Sequence, residues 1–204
     1  MQATAIIDVL SRALTAESMR FEAVESPDGM PTIYAPLDLL VETCRVLRDT
    51  PELRFVILAD VVAVDYHPRD PRFELVYLLV CPGVAGYGDA ARRLRLKVRV
   101  GDGTHVPSVS SIWQSANWAE REVYDFFGLH FDGHPDMRRI LMPEDWEGFP
   151  MRKDYPVQIN QRVKTYEPLQ VSADEFVANM EATRRAARDP VRPEPVEGRR
   201  ARQD

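Results

Sequence analysis

From Arg93 to Val100 the chain alternates without a fault: Leu94, Leu96, Val98 and Val100 point one way, and Arg93, Arg95, Lys97 and Arg99 the other. A period of two over this length specifies a β-strand with one buried and one polar face. Two apolar runs precede it, Leu53 to Val64 and Phe73 to Cys81, bounded by the turn residues His67-Pro68 and Pro82-Gly83. Their near-continuity predicts strands covered on both faces. Strands joined by short connections point to an antiparallel or mixed sheet with helices packed on it, an α+β architecture. The cationic face of the third strand has the charge to hold phosphate, although a solvated or partner-facing role is the commoner use of such a face.

The helices come from the 3.6-residue period. Residues 2–15 carry Ile6, Ile7, Val9, Leu10 and Leu14 at helical spacing, and Met19 to Val24 and Met30 to Tyr34 then read as short extended pieces around the Pro27-Asp28-Gly29 turn. Pro36 opens a second helix whose stripe is Leu37, Leu40, Val41, Cys44 and Leu47. The strongest helix is predicted from Ser110 to Phe127, capped by Ser110 or Ser111 and ended by Gly128, with Ile112, Ala116, Ala119, Val123 and Phe126 on its packed face. From His130 to Pro156 Gly, Pro and charge replace any sustained period. Ser172 then opens a last polar helix. The expected organisation is an α+β domain over 1–128, an extended partner-binding segment over 129–170, a helix over 171–188 and a disordered tail over 189–204, where Pro and Arg displace apolar residues.

Composition excludes several classes. No apolar stretch in the 204 residues approaches the roughly 20 needed to span a bilayer, and the start MQATAIIDVL lacks the basic flank of a signal peptide. The chain is expected in the cytoplasm unless a partner holds it at a membrane. The net charge of -6 resolves into -8 for residues 1–180 and +2 from Glu181 onward, which argues against a nucleic-acid-binding body. Cys44 and Cys81 lie far apart, too few for a cysteine-ligated cluster or structural zinc, and are expected to be reduced core residues.

Chemistry-bearing residues concentrate between Trp118 and Pro156, where 14 of 39 residues are Asp, Glu, Lys or Arg. Glu120 and Glu122 project about 80° to either side of the helix's apolar stripe. An acid–base pair needs carboxyls converging on one substrate atom, and these two diverge. The better reading is that the carboxylates receive groups from Arg138, Arg139, Arg152 and Lys153, locking the irregular segment onto the helix or onto another chain. His130 and His134 are four apart and flanked by Asp132 and Asp136, but Gly128, Gly133 and Pro135 forbid the helix that would align their rings as metal ligands. His134 before Pro135 is expected to hold a turn, its ring bonded to backbone or carboxylate. Gly83, Gly86 and Gly88 are not spaced as a dinucleotide fingerprint, and no P-loop, HExxH or GxSxG is present. Trp113, Trp118, Tyr124, Trp146, Phe149 and Tyr155 look exposed and accompany the charges, a mixture typical of interface hot spots.

The block Glu120-Arg121-Glu122, Asp125-Phe126-Phe127-Gly128, His134-Pro135-Asp136, Arg138-Arg139-Ile140-Leu141, Trp146-Glu147-Gly148, Pro150 and Arg152-Lys153-Asp154-Tyr155-Pro156 resembles the signature of the C subunit of NADH-quinone oxidoreductase, a peripheral-arm component of respiratory complex I. One departure is Phe149, where similar proteins often carry His. The resemblance implies a subunit of a proton-translocating NADH:quinone oxidoreductase with no catalytic centre, cofactor or metal of its own. FMN, Fe-S clusters and quinone would belong to partner subunits. It implies subunits D and B as partners, and a peripheral place on the cytoplasmic side of the inner (plasma) membrane, held there through the complex, with no nucleic acid involved. The expected partner-binding residues are Trp118, Glu120, Arg121, Glu122, Asp125, His134, Arg138, Arg139, Trp146, Arg152, Lys153 and Asp154. Two alternatives stay open: the equivalent subunit of a related membrane-bound hydrogenase or other-donor dehydrogenase, and a stand-alone soluble enzyme using the Glu120/Glu122 pair. Which ion pairs are internal and which cross to a partner is also open.

Overall fold

The computed structural model describes residues 2–14, 20–83, 90–156 and 172–188. The chain divides into two units, residues 1–157 and 158–204. In the first, the order is α1 (Ala3–Ala13), β1 (Glu22–Val24), β2 (Thr32–Tyr34), a 3-10 turn at Leu37–Leu39, α2 (Leu40–Asp49), β3 (Ile57–Asp65), β4 (Phe73–Cys81), β5 (Arg92–Val100), β6 (Val106–Pro107), α3 (Ala116–Phe127) and β7 (Phe131–Asp132). Five strands form one sheet in the order β1-β2-β5-β4-β3, antiparallel except where β2 meets β5. The sheet is therefore mixed, and the fold class is the expected α+β.

The alternation of β5 sets the core. Leu94, Leu96, Val98 and Val100 are fully buried, with Leu75, Tyr77 and Leu79 of β4 opposite them. Ile6 and Leu10 of α1, Leu40, Cys44 and Leu47 of α2, and Ala116, Val123 and Phe127 of α3 complete the same cluster. Both cysteines are free and buried. The opposite face of the sheet lacks such a cover among the described residues, which corrects the expectation that β3 is covered on both sides. Ile57 and Val62 of β3 are 45% and 40% exposed. β3 lies at the sheet edge, and a continuous apolar run reports high strand propensity without saying whether a second layer exists.

The cationic side of β5 lies on that open face and is largely neutralised within the chain. Arg95 donates to Asp28 at 2.8 Å, Lys97 to Glu74 at 2.7 Å and Arg99 to Glu22 at 3.0 Å. Tyr34 also donates to Glu74, and the Arg99 guanidinium lies 3.9 Å over its ring. A phosphate would have to displace these carboxylates.

A second departure concerns the strongest predicted helix, which starts at Ala116 rather than Ser110. Residues 109–115 instead turn on themselves through Ile112 and Trp113 N–H donations to the Val109 carbonyl. Ser115 donates to the Leu58 carbonyl at 2.8 Å, tying the turn to β3. Trp113 is buried there, so the apolar positions that mimic a helical stripe are filled by a folded turn. β3 likewise starts at Ile57, because Leu53 and Phe55 plug the core from a turn.

In the second unit the one described element is α4 (Ala173–Arg188). It opens on Ser172 as expected: Ser172 Oγ accepts from the Glu175 N–H at 3.2 Å, and the Glu175 carboxylate accepts from the Ser172 N–H at 3.4 Å, a reciprocal cap. Phe176, Val177 and Met180 are exposed along it. Residues 157–170 of the expected extended segment, the tail 189–204 and the glycine-rich connection at 84–89 lie outside the described residues.

Candidate functional site

Two carboxylates on α3 face inward and fasten chain on either side of the helix. Glu120 has no exposed area. Its Oε2 accepts from Ser108 Oγ at 2.6 Å and its Oε1 from the Val109 N–H at 2.8 Å, which holds the stretch before the helix. Burial pushes its carboxyl up to about 7 against the opposing pull of those two donors. Asp125 is equally enclosed. Its Oδ1 accepts from Arg139 at 2.9 Å, and its Oδ2 accepts from three successive backbone N–H groups, Ile140 at 3.1 Å and Leu141 and Met142 at 2.8 Å each. Burial alone would raise this carboxyl, but the Met142, Leu141 and Ile140 N–H groups and Arg139 outweigh it and keep it below the usual carboxylate range.

A second clamp seats the far end of the irregular segment. The nearly buried Arg72 spreads its guanidinium over Asp65 at 2.9 and 3.0 Å, Asp154 at 2.6 and 3.0 Å, and Asp102 at 2.9 Å. Asp65 also accepts from the Lys153 N–H at 2.8 Å. The hydrogen bonds from Arg72 hold the Asp65 carboxyl well below its ordinary value. Arg152 donates to the Phe127 carbonyl at 2.6 Å, pairs with Asp102 at 3.3 Å, and lies over the rings of Phe149 and Phe73 at 5.1 and 5.3 Å. Gly128 ends α3 at φ 71°, and the Phe149 ring occupies the space a Cβ there would need. A side chain at 128 is thus excluded by conformation and by contact.

Above these clamps lies an exposed surface. Trp118 is 65% exposed, with the Arg121 guanidinium 5.2 Å over its ring. Arg121 also donates to the carbonyls of Arg138 at 2.9 Å and Arg139 at 3.3 Å. Arg138 grips Asp136 with two bonds of 2.7 and 2.8 Å. His134 bonds the Asn117 carbonyl through Nε2 at 3.1 Å and accepts the Asp136 N–H on Nδ1 at 3.0 Å, so its ring holds a turn as expected and is a neutral Nε2–H tautomer. An open groove of about 620 Å³ runs along Ser110, Gln114, Asn117, Trp118 and Pro135. Leu141 and Met151 are exposed apolar side chains of the same segment.

The twelve sequence-predicted residues therefore divide by depth. Glu120 and Asp125 are enclosed, Arg121, His134, Arg139, Trp146 and Arg152 are half-buried, and Trp118, Glu122, Arg138, Lys153 and Asp154 are exposed. The described ion pairs of Asp125, Arg138, Arg139, Arg152 and Asp154 all close within the chain. Glu120 and Glu122 lie in different surroundings: one is enclosed with both oxygens bonded, the other open to solvent. Sequence reasoning missed Asp65, Arg72, Asp102 and Ser108, which complete the clamps. The one signal for them was an acid and a base bracketing the His67-Pro68 turn.

The stretch 33–161 matches the family model described as Respiratory-chain NADH dehydrogenase, 30 Kd subunit. The chain is 46% identical over 140 residues to the NADH-quinone oxidoreductase C 2 subunit of Rhizobium meliloti (strain 1021), covering 67% of this chain and 73% of that one. It is 43% identical over 141 residues to the NADH-quinone oxidoreductase C subunit of Roseiflexus sp. (strain RS-1), covering 68% and 76%. Among solved structures it resembles a chain of the membrane-bound sulfane sulfur reductase, an archaeal respiratory membrane complex, with TM-score 0.57 and 25% identity over 74% of this chain and 85% of that one.

Proposed function

The chain belongs to the family of the 30 kDa subunit of respiratory-chain NADH dehydrogenase, and from that premise we propose that it is a non-redox scaffold of an NADH:quinone oxidoreductase. In this reading electrons pass from NADH through FMN and Fe-S clusters to quinone on other subunits, while this chain holds subunits D and B in register. It sits peripherally on the cytoplasmic side of the membrane, attached through the complex. Among the described residues no helix is long and apolar enough to cross a membrane.

The observation that carries this reading is the double clamping of an irregular, charged segment. Asp125 and Arg72 fix residues 139–154 at two separate points, although that stretch has little regular structure of its own. A loop held so firmly presents its exposed side chains in one geometry, which is what a docking surface requires and cuts the ordering cost of association. Trp118, Arg121, Glu122, Arg138 and Lys153 form the proposed contact set, and Glu120 and Asp125 support it from beneath.

The test uses Trp118→Asp and Glu122→Arg, both at exposed positions. Affinity capture from detergent-solubilised membranes should recover roughly 30-fold less of subunits D and B if Trp118 anchors the contact, a loss of about 2 kcal/mol. Membrane NADH:quinone activity should fall in step, while the thermal midpoint of the purified chain stays put. Full partner recovery with both variants would sink the proposal.

A second reading rests on the likeness to the sulfane sulfur reductase chain, in which the same fold serves a complex described by another electron acceptor. The equivalent subunit of a membrane-bound hydrogenase or other-donor dehydrogenase would need the same clamps. Co-purification of a flavin-binding NADH subunit separates the two.

A further inference from the structure

Outside the clamps, three ionisable side chains converge: His105, His130 and Asp132. They meet because of the short parallel ladder between β6 and β7. That ladder pairs Val106 with Phe131 and Pro107 with Asp132, fixed by the Val106 N–H on the His130 carbonyl at 2.9 Å and the Ser108 N–H on the Asp132 carbonyl at 2.8 Å. The preceding residues His105 and His130 are thereby set side by side, and their rings stack at 4.7 Å between centroids. Asp132 follows His130 by two positions, on the same side of its strand. One carboxylate oxygen takes both Nδ1 atoms, His105 at 2.8 Å and His130 at 3.4 Å. The Tyr124 ring lies edge-on to His130 at 6.3 Å and buttresses it.

We propose that His105, His130 and Asp132 form a surface site for one divalent transition-metal ion of the Zn²⁺ class, with water completing the coordination. The donor set decides the class: two imidazole nitrogens and one carboxylate suit zinc and its neighbours, whereas magnesium and calcium seek oxygen alone. The geometry fits as well. Zinc bonds of about 2.1 Å on a tetrahedron put ligand atoms roughly 3.4 Å from one another. The three donor atoms here lie within 4.8 Å of one another, and the carboxylate already stands 2.8 and 3.4 Å from the two nitrogens. Small rotations of three exposed side chains admit the ion, and the backbone ladder keeps them together without it.

The one histidine pairing that the sequence offers as metal ligands is His130 with His134, which Gly128, Gly133 and Pro135 oppose. The structure turns His134 away to the Asn117 carbonyl and supplies His105 instead, from 25 positions upstream. A bound ion would staple the strand before Ser108 to the strand after Gly128, closing the loop that contains α3. The site does not depend on the scaffold reading and would bind in the isolated full-length chain.

Co²⁺ titration of the chelator-treated full chain is the test. One equivalent should bind at micromolar concentration with the visible absorption of a four-coordinate ion. His105→Ala and His130→Ala should each weaken binding at least 10-fold, while His67→Ala, away from the cluster, should leave it unchanged. In parallel, Zn²⁺ should raise the thermal midpoint of the wild-type chain and not of His105→Ala. Circular dichroism of the variants confirms that each is folded, and His105→Gln, which keeps the strand polar, should weaken binding as the alanine does. Absence of stoichiometric Co²⁺ binding by the wild type, or equal binding by the His105→Ala/His130→Ala double variant, would overturn the site.

Discussion

The sheet and the segment from 118 to 156 are held together by different physics. β4 and β5 rest on a nine-pair antiparallel register and a continuous apolar layer, in which stability is spread over many individually small contacts. The segment rests on buried carboxylates that each collect several donors, and on the Arg72 guanidinium, which donates to three carboxylates. Apolar burial is non-directional and tolerates small shifts, whereas a carboxylate receiving four donors fixes position and angle. One region supplies stability, and the other supplies a shape.

The sharpest way to break that contrast is to cut one clamp and one core contact. Asp125→Ala leaves Arg139 and three N–H groups without their acceptor and should cost about 3 to 5 kcal/mol. Limited proteolysis should then cut first around residues 139–142. Leu96→Ala should cost a comparable 2 to 5 kcal/mol by opening a cavity, yet produce no preferred cut there. If both variants are cleaved alike, or Asp125→Ala unfolds at the wild-type denaturant midpoint, the distinction is wrong.

Next in size is a pH effect confined to the other enclosed carboxylate of α3, Glu120. The folded-state value of Glu120 is raised to about 7 from an ordinary 4.5, so folding favours its neutral form. Its contribution is complete below the ordinary value and is lost as pH climbs from 4.5 to 7, on the order of 3 kcal/mol. Asp65 and Asp125 are shifted the opposite way, and their contributions are lost only as pH falls below the ordinary carboxylate range. Chemical denaturation across pH 4.5 to 7 should show declining stability in the wild type and a flat line in Glu120→Gln, whose amide can still accept from Val109 and donate to Ser108. A slope that survives the substitution would assign the effect elsewhere.

The smallest effect belongs to the surface. Arg138→Ala removes an exposed, solvent-screened pair with Asp136 and should leave the denaturation midpoint essentially where it is. An unfolding curve checks this, and a clear loss would mean the exposed layer also carries fold stability.

The contrast also explains what was legible beforehand. Local periods announced β5, α1 and α2, because a face is written every second or every third to fourth residue. The same periods could not say that the far side of β3 is open, since cover is supplied by other elements. Nor could they place the start of α3, where Glu120 reaches back twelve residues to Ser108 and lets residues 109–115 turn. His134 was readable as a turn because Pro135 constrains its own neighbourhood. The Arg72 cluster was not, because its partner Asp154 lies 82 residues away and leaves no local trace. Direct burial of Glu120 and Asp125 also escaped the helical wheel, which places side chains by angle and not by what folds over them.

Arg72 has one more consequence, which concerns the order of synthesis. Its guanidinium faces Asp65 as soon as the β3–β4 turn forms, but Asp154 emerges 82 residues later. At roughly 5 to 20 residues per second, that is a wait of about 4 to 16 seconds. Until then the nascent body carries a nearly buried cation only partly matched, and the segment that completes it is the one bearing the exposed tryptophan and arginines. The proposed docking surface is thus completed only by the event that closes the body beneath it, and a growing chain presents no finished surface to a partner too early.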